Sequence, residues 1–99
     1  MEITRKLAGD RLELVVSGRI DTITSSDFQN AVVPLPGGVR SVDIDLAEVE
    51  YVSSAGLRAF AVLSMAVRDA GGGLTLRNMQ EDVKTVFDMT GFSAMLGLA

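Results

Sequence analysis

Two adjacent hydroxyls and a scatter of carboxylates are the residues in this chain whose types and spacing allow chemistry. Ser53 and Ser54 sit in the segment Tyr51-Val52-Ser53-Ser54-Ala55-Gly56-Leu57, directly before a long apolar stretch that reads as a helix. A hydroxyl at a helix start meets unpaired backbone N–H groups and the positive end of the helix dipole, an environment that favours a bound or covalent phosphate. The same position is also where serine serves as an ordinary N-cap, and spacing alone leaves both readings open for Ser53 and Ser54. Gly56, lacking a side chain, allows another backbone or a phosphate to come close. A nucleophilic serine needs a base, and the chain has no His, no Cys and no lysine near this turn. Triad and Cys-His chemistry, disulfides and imidazole or thiolate zinc sites are excluded with them. Asp21, Asp43 and Asp45 form a rival constellation, in which carboxylates at strand ends hold Mg²⁺ and one accepts a phosphoryl group. Asp43 and Asp45 lie on the polar face of a strand, however, where solvated charge is the usual explanation. The expectation is therefore no metal, no cofactor and no catalytic residue.

These groups must be positioned by a small scaffold. The 99 residues are 47% hydrophobic and 22% charged, enough for one packed domain over 1–99. With 9 basic against 13 acidic side chains the net charge is −4, which argues against a phosphate-tracking nucleic-acid surface and leaves proteins as partners. The longest uncharged apolar stretch, Ala59 to Val67, is far short of the roughly 20 residues of a membrane span. The N-terminus lacks the pattern of an export signal. A cytoplasmic protein, monomeric or weakly dimeric, is expected.

Leu12, Leu14 and Val16, then Val42, Ile44 and Leu46, then Leu74 and Leu76 alternate with polar or exposed-type residues, the period of a half-buried strand. Ala8-Gly9-Asp10 marks a hairpin to an earlier strand around Ile3 to Lys6. Because each central strand keeps a polar face, the helices are expected mainly on one side of the sheet. Three helices are read: Ser25 to Val33, capped by Thr24 or Ser25 and stopped by Pro34; Ala55 to Ala70, apolar almost all round and ended by Gly71-Gly72-Gly73; and Glu81 to Met89, with Asn78 as a possible cap and Gly91 at its stop. Met65, Met79, Met89 and Met95 read as core fillers or interface contacts. Phe92, Met95, Leu96 and Leu98 form an apolar tail suited to a fourth helix or a dimer contact. The fold class is α/β, a four-stranded mixed, mostly parallel sheet with an N-terminal hairpin. Arg58, one turn into the central helix, is a candidate anchor for a phosphate or an acidic partner.

Gly18-Arg19-Ile20-Asp21, Val42 to Leu46, the serine turn, and Val86-Phe87-Asp88-Met89-Thr90-Gly91-Phe92 together resemble the successive signatures of the STAS domain of bacterial anti-sigma factor antagonists and sulfate transporter tails. The resemblance runs over nearly the whole chain. It implies that Ser54 is the acceptor phosphorylated by a partner anti-sigma factor acting as a serine kinase, with Ser53 as second candidate. It further implies that the unphosphorylated form binds that anti-sigma factor and frees the sigma factor, and that a serine phosphatase resets it. Asp21, Thr22, Asp45, Ser53, Ala55, Gly56, Arg58, Met89 and Thr90 become the expected surroundings and partner surface. The sequence departs from the pattern at Ser53, where switch proteins of the family often carry Asp, and at Ala55, which replaces a second hydroxyl. The departure at Ser53 favours an alternative in which the domain is a constitutively bound subunit of a transporter ATPase or sensor assembly with no phospho-switch.

Overall fold

The computed structural model describes residues 1–95, so Leu96 and Leu98 of the apolar tail lie outside the described residues. The elements are β1 (Glu2–Ala8), β2 (Arg11–Ile20), α1 (Ser25–Asn30), β3 (Ser41–Val52), α2 (Ser54–Asp69), β4 (Leu74–Arg77), α3 (Glu81–Met89) and α4 (Phe92–Met95). The strands form one sheet in the order β1-β2-β3-β4, antiparallel in the β1–β2 hairpin and parallel elsewhere. Gly9, at φ +64, takes the first central position of the two-residue hairpin turn, where a type II′ turn requires a glycine.

Alternation decides the layers. Leu12, Leu14, Val16, Val42, Ile44 and Leu46 point to one face and are buried, while Val15 is exposed and Asp43 and Asp45 keep partial exposure on the other. The helices cover the buried face. Three phenylalanines tie them to one another: Phe28 of α1 lies 4.9 Å from Phe60 of α2, and Phe60 lies 5.2 Å from Phe87 of α3, in tilted and edge-on arrangements. Such pairs add to area burial, and truncating one to alanine costs roughly 3–5 kcal/mol.

The polar face expected of the strands is thus present, but β3 is longer than its alternation implies. Period two holds only from Val42 to Leu46; the next buried residues are Val49 and Val52, each three further on. Two register irregularities against β2 explain the change, between Val15 and Ser17 and between Gly18 and Arg19. Each inserts an extra β3 residue, bending and twisting the strand without ending it. Tyr51 and Val52 are therefore strand residues, not part of a turn.

The helices follow the sequence closely, with corrections at their ends. α1 stops at Asn30 rather than at Pro34, and the chain continues in turns, with Val33 N–H donating to the Gln29 carbonyl at 2.9 Å. α2 ends in a Schellman arrangement: Gly71 N–H donates to the Arg68 carbonyl and Gly72 N–H to the Val67 carbonyl, with Gly71 at φ +78. Asn78 does not cap α3. It adopts φ +61 and its side-chain amide donates to Asp45, while Gln80 occupies the cap position without capping through its side chain. Met79 packs against the core, but Met65 and Met89 are 61% and 82% exposed, so of the two readings they are not core fillers.

Candidate functional site

The serine turn is built where β2 and β3 end side by side. Ile20 pairs with Val52, and the next residue, Ser53, donates its N–H to the Ile20 carbonyl at 2.9 Å. Ser53 leaves the strand in an extended conformation (φ −87, ψ 176), and its Oγ accepts from Gly56 N–H at 3.2 Å while its carbonyl accepts from Leu57 N–H at 2.9 Å. It is the N-cap of α2, satisfying donors that the helix start would leave unpaired. A Cβ on Gly56 would stand 2.7 Å from the Ile20 carbonyl oxygen and 2.9 Å from Val52 Cγ1. The glycine is required because the helix start presses against the end of β2.

Ser54, the first residue of α2, is exposed, and its hydroxyl makes no hydrogen bond among the described residues. Ala55 follows, half-buried. Arg58 is exposed four positions on, one turn along the same helical face as Ser54. The two serines are thus divided in use: one hydroxyl belongs to the backbone, the other to solvent.

Asp21 flanks this turn from the end of β2. Its Oδ1 accepts from Ile23 N–H at 2.9 Å and from Thr24 N–H at 3.0 Å, and its carbonyl accepts from Ser25 N–H, so it caps the turn that leads into α1. Thr24 Oγ1 accepts from Asp21 N–H at 2.9 Å and donates to the Arg19 carbonyl at 2.7 Å. The bonds to its carboxylate, first that from the Thr24 backbone, then those from the Ile23 backbone and the Thr24 hydroxyl, hold the Asp21 carboxyl below its ordinary value, against an opposing effect of burial; the Arg19 guanidinium, 3.9 Å away, adds to the lowering. Arg19 also lies 4.2 Å above the ring of Tyr51. Thr22 and Ile23 form the crest of the loop, Ile23 being 85% exposed.

Asp45 is not part of this cluster. It pairs with Val15, five β2 residues before Ile20, which places it about 16 Å from the serine end of the sheet at about 3.3 Å per residue. Its Oδ1 accepts from Ala47 N–H at 3.0 Å and Asn78 Nδ2 at 3.2 Å; the Ala47 bond first, then that of Asn78, lower its pKa. Asp43 is engaged by Arg77, whose Nε lies 2.6 Å from its Oδ1. Asp21, Asp43 and Asp45 do not converge on one point, and among the described residues no group of three His, Cys, Asp or Glu side chains has the arrangement of a metal site. Thr90 is the C-cap of α3, its hydroxyl donating to the Val86 carbonyl at 2.7 Å; Met89 beside it projects into solvent.

Sequence reasoning overlooked Arg19, Ile23 and Tyr51 as parts of this surface. The signal for the loop was available in Asp21-Thr22-Ile23-Thr24, an acidic and a hydroxyl residue three apart before a helix. The Arg19–Tyr51 contact was not legible, because it depends on the register across a bulge.

Residues 3–97 match the family model described as Mlab, STAS domain, and the chain belongs to the STAS domain family. Among curated relatives it is similar to the anti-sigma-B factor antagonist of Bacillus subtilis, 28% identical over 88 residues that span 89% of this chain and 81% of that protein. Among solved structures it resembles the anti-sigma factor antagonist SpoIIAA in its unphosphorylated form, with TM-score 0.83 and 14% identity over 94% of this chain and 84% of that one. The phosphorylated form of the Bacillus SpoIIAA superposes with TM-score 0.75 at 12% identity, covering 94% of this chain and 86% of the other. The mixed sheet with its N-terminal hairpin is the STAS fold. Among the described residues no helix is long and apolar enough to cross a membrane.

Proposed function

We propose that this protein is an anti-sigma factor antagonist whose partner binding is switched off by phosphorylation of Ser54. The observation that carries the reading is the division between the two serines: Ser53 Oγ is spent on the Gly56 N–H, whereas Ser54 Oγ is exposed and unspent at the start of the same helix. The names of the curated relative and the solved structures supply the class of partner.

The chain carries no base for the step. It lacks His and Cys, and Asp21, the carboxylate that follows Ile20 at the end of β2, is engaged by the backbone of its own loop. The partner must therefore bring the catalytic apparatus: an anti-sigma factor with serine kinase activity transfers the γ-phosphoryl of ATP to Ser54 Oγ and takes up the hydroxyl proton. A serine phosphatase reverses the modification by hydrolysis. Phosphorylation adds about −1.5 to −2 charges and three acceptor oxygens. At the first turn of α2 that charge meets the favourable end of the helix dipole, with Arg58 one turn away, so the domain keeps its fold. In a docked complex the same charge is desolvated beside Asp21, and each 1.4 kcal/mol of penalty weakens affinity about tenfold. The exposed Ile23, Tyr51 and Met89 supply apolar contact for the unmodified state.

The serine that replaces the family's aspartate at position 53 fits this scheme, since Ser and Asp are comparable N-caps. What it removes is a carboxylate next to the acceptor, lessening like-charge repulsion in the modified form.

Incubation of the purified chain with its anti-sigma factor and ATP is expected to add one phosphoryl group, detected by intact mass. The modification should vanish in Ser54→Ala and persist in Ser53→Ala, and the phosphorylated chain should bind the anti-sigma factor at least about tenfold more weakly. Retention of the modification in Ser54→Ala, or tight binding that phosphorylation leaves unchanged, would overturn the switch in favour of a fixed docking subunit.

A further inference from the structure

β1 is an outer strand of the sheet, paired with β2 on one side only among the described residues. An unpaired edge of seven residues is a template for another strand, and natural edges of this length are normally blunted or covered. β1 carries charges of the kind that blunts an edge, Glu2, Arg5 and Lys6, but their order makes this edge complementary to a second copy of itself. We propose that β1 pairs antiparallel with β1 of a second copy of this chain, centred on Thr4, to give a two-fold dimer with a continuous eight-stranded sheet.

The backbone sets which groups are available. The two-residue turn makes Ala8 and Arg11 the hydrogen-bonded closing pair of the hairpin, and bonded and non-bonded pairs alternate along an antiparallel ladder. Glu2, Thr4, Lys6 and Ala8 therefore turn their backbone groups toward β2, and Ile3, Arg5 and Leu7 turn theirs to the free edge. A second β1 must meet them with its own Ile3, Arg5 and Leu7, which restricts the pairing to registers that differ by two residues.

Side chains then choose among those registers. With Thr4 opposite Thr4 of the second copy, Glu2 stands opposite Lys6 and Lys6 opposite Glu2, two opposite-charge pairs on the open face. They fall at non-hydrogen-bonded positions, where facing side chains are nearest. On the other face Ile3 meets Arg5, whose aliphatic stem can lie over it. Met1, which runs on in line with β1 beside Gly18, meets Leu7. Met1 and Leu7 are 38% and 60% exposed in the single chain, and this register covers both. A shift of two residues in one direction puts Arg5 against Arg5 and Lys6 against Thr4. The opposite shift shortens the paired region and sets Glu2 against Thr4. Only the Thr4-centred register satisfies charge and apolar surface together. The serine turn takes no part in this edge, so each copy keeps its own.

Sedimentation of the full chain over a concentration series, up to millimolar, tests the dimer. The wild type should self-associate, and Glu2→Lys and Lys6→Glu should each weaken association about tenfold, since each turns two attractive pairs into repulsive ones. An equimolar mixture of the two variants should regain wild-type affinity, because every pair between the unlike chains is again Lys opposite Glu. Arg5→Pro, which removes an edge-facing N–H that β2 does not use, should abolish association while circular dichroism stays native. A wild type that remains monomeric throughout overturns the proposal. So does a dimer indifferent to all three variants, or a mixture of the charge variants that fails to regain affinity.

Discussion

Two polar clusters lie at different heights on the same sheet and are used in opposite ways. Around Asp45, midway along β3, the groups engage one another: Asp45 takes the Ala47 N–H and the Asn78 amide, Arg77 takes Asp43, and Gln80 donates to the Ala47 carbonyl. Around the serine turn, Asp21 and Ser53 are spent on backbone donors, but Ser54 and Arg58 are left over. Both clusters contain carboxylates and hydroxyl or amide groups, so composition does not separate them. Counting which donors and acceptors already have partners does: the first cluster holds β3 to the segment after β4, and the second leaves the Ser54 hydroxyl and the Arg58 guanidinium open to solvent.

Substitutions can break or sharpen this contrast. The largest effect is expected from Gly56→Ala, whose new Cβ would crowd the Ile20 carbonyl; overpacking of this kind costs typically about 1–3 kcal/mol, offset in part by the better helix propensity of alanine. Urea unfolding should show a lowered midpoint at unchanged slope. Asn78→Ala follows, at about 1–2 kcal/mol, because alanine does not tolerate φ +61 and the bond to Asp45 is lost with the amide. If the first cluster is purely structural, this variant should lose stability and leave anti-sigma factor binding intact in the folded fraction.

Ser53→Ala should cost about 1 kcal/mol, the usual worth of an N-cap, and Ser53→Asp should restore it. Ser54→Ala, by contrast, should leave the unfolding midpoint within about 0.5 kcal/mol of wild type, as surface substitutions do. Equal losses at the two positions would erase the distinction between them. The smallest effect is that of pH. Asp21 and Asp45 both titrate below the ordinary carboxylate value, each chiefly because backbone N–H groups favour the charged form. Their contribution to stability is therefore fully present above the ordinary value and is lost as pH falls through the lowered ones. Stability should be level above about pH 5 and decline below it. The double variant Asp21→Asn/Asp45→Asn should decline less steeply.

Much of the architecture was legible because the signals were local. Alternation at Leu12, Leu14 and Val16 and at Val42, Ile44 and Leu46 placed the strands and their buried face, and the hairpin turn and α3 were found where they lie. The far half of β3 was hidden because each bulge resets the parity on which strand reading depends, spacing Leu46, Val49 and Val52 in threes. The same blind spot put Asp45 at a strand end beside the serines. Of the two readings of Met65 and Met89, core filler or interface contact, their exposure excludes the first, and the sequence could not choose for a related reason: an apolar residue on a helix reveals its type, not whether another element covers it.

Residue order alone determined the family, the order of elements, and the pair of hydroxyls at a helix start, all of which depend on neighbours within a few positions or on motif spacing. Only the tertiary structure assigned the two hydroxyls their separate fates. That assignment depends on where the end of β2 meets α2, with Gly56 against Ile20 and Ser53 tied back to the same carbonyl, more than thirty residues away along the chain. A contact that distant is set by the packing of sheet and helix, and no local pattern records it.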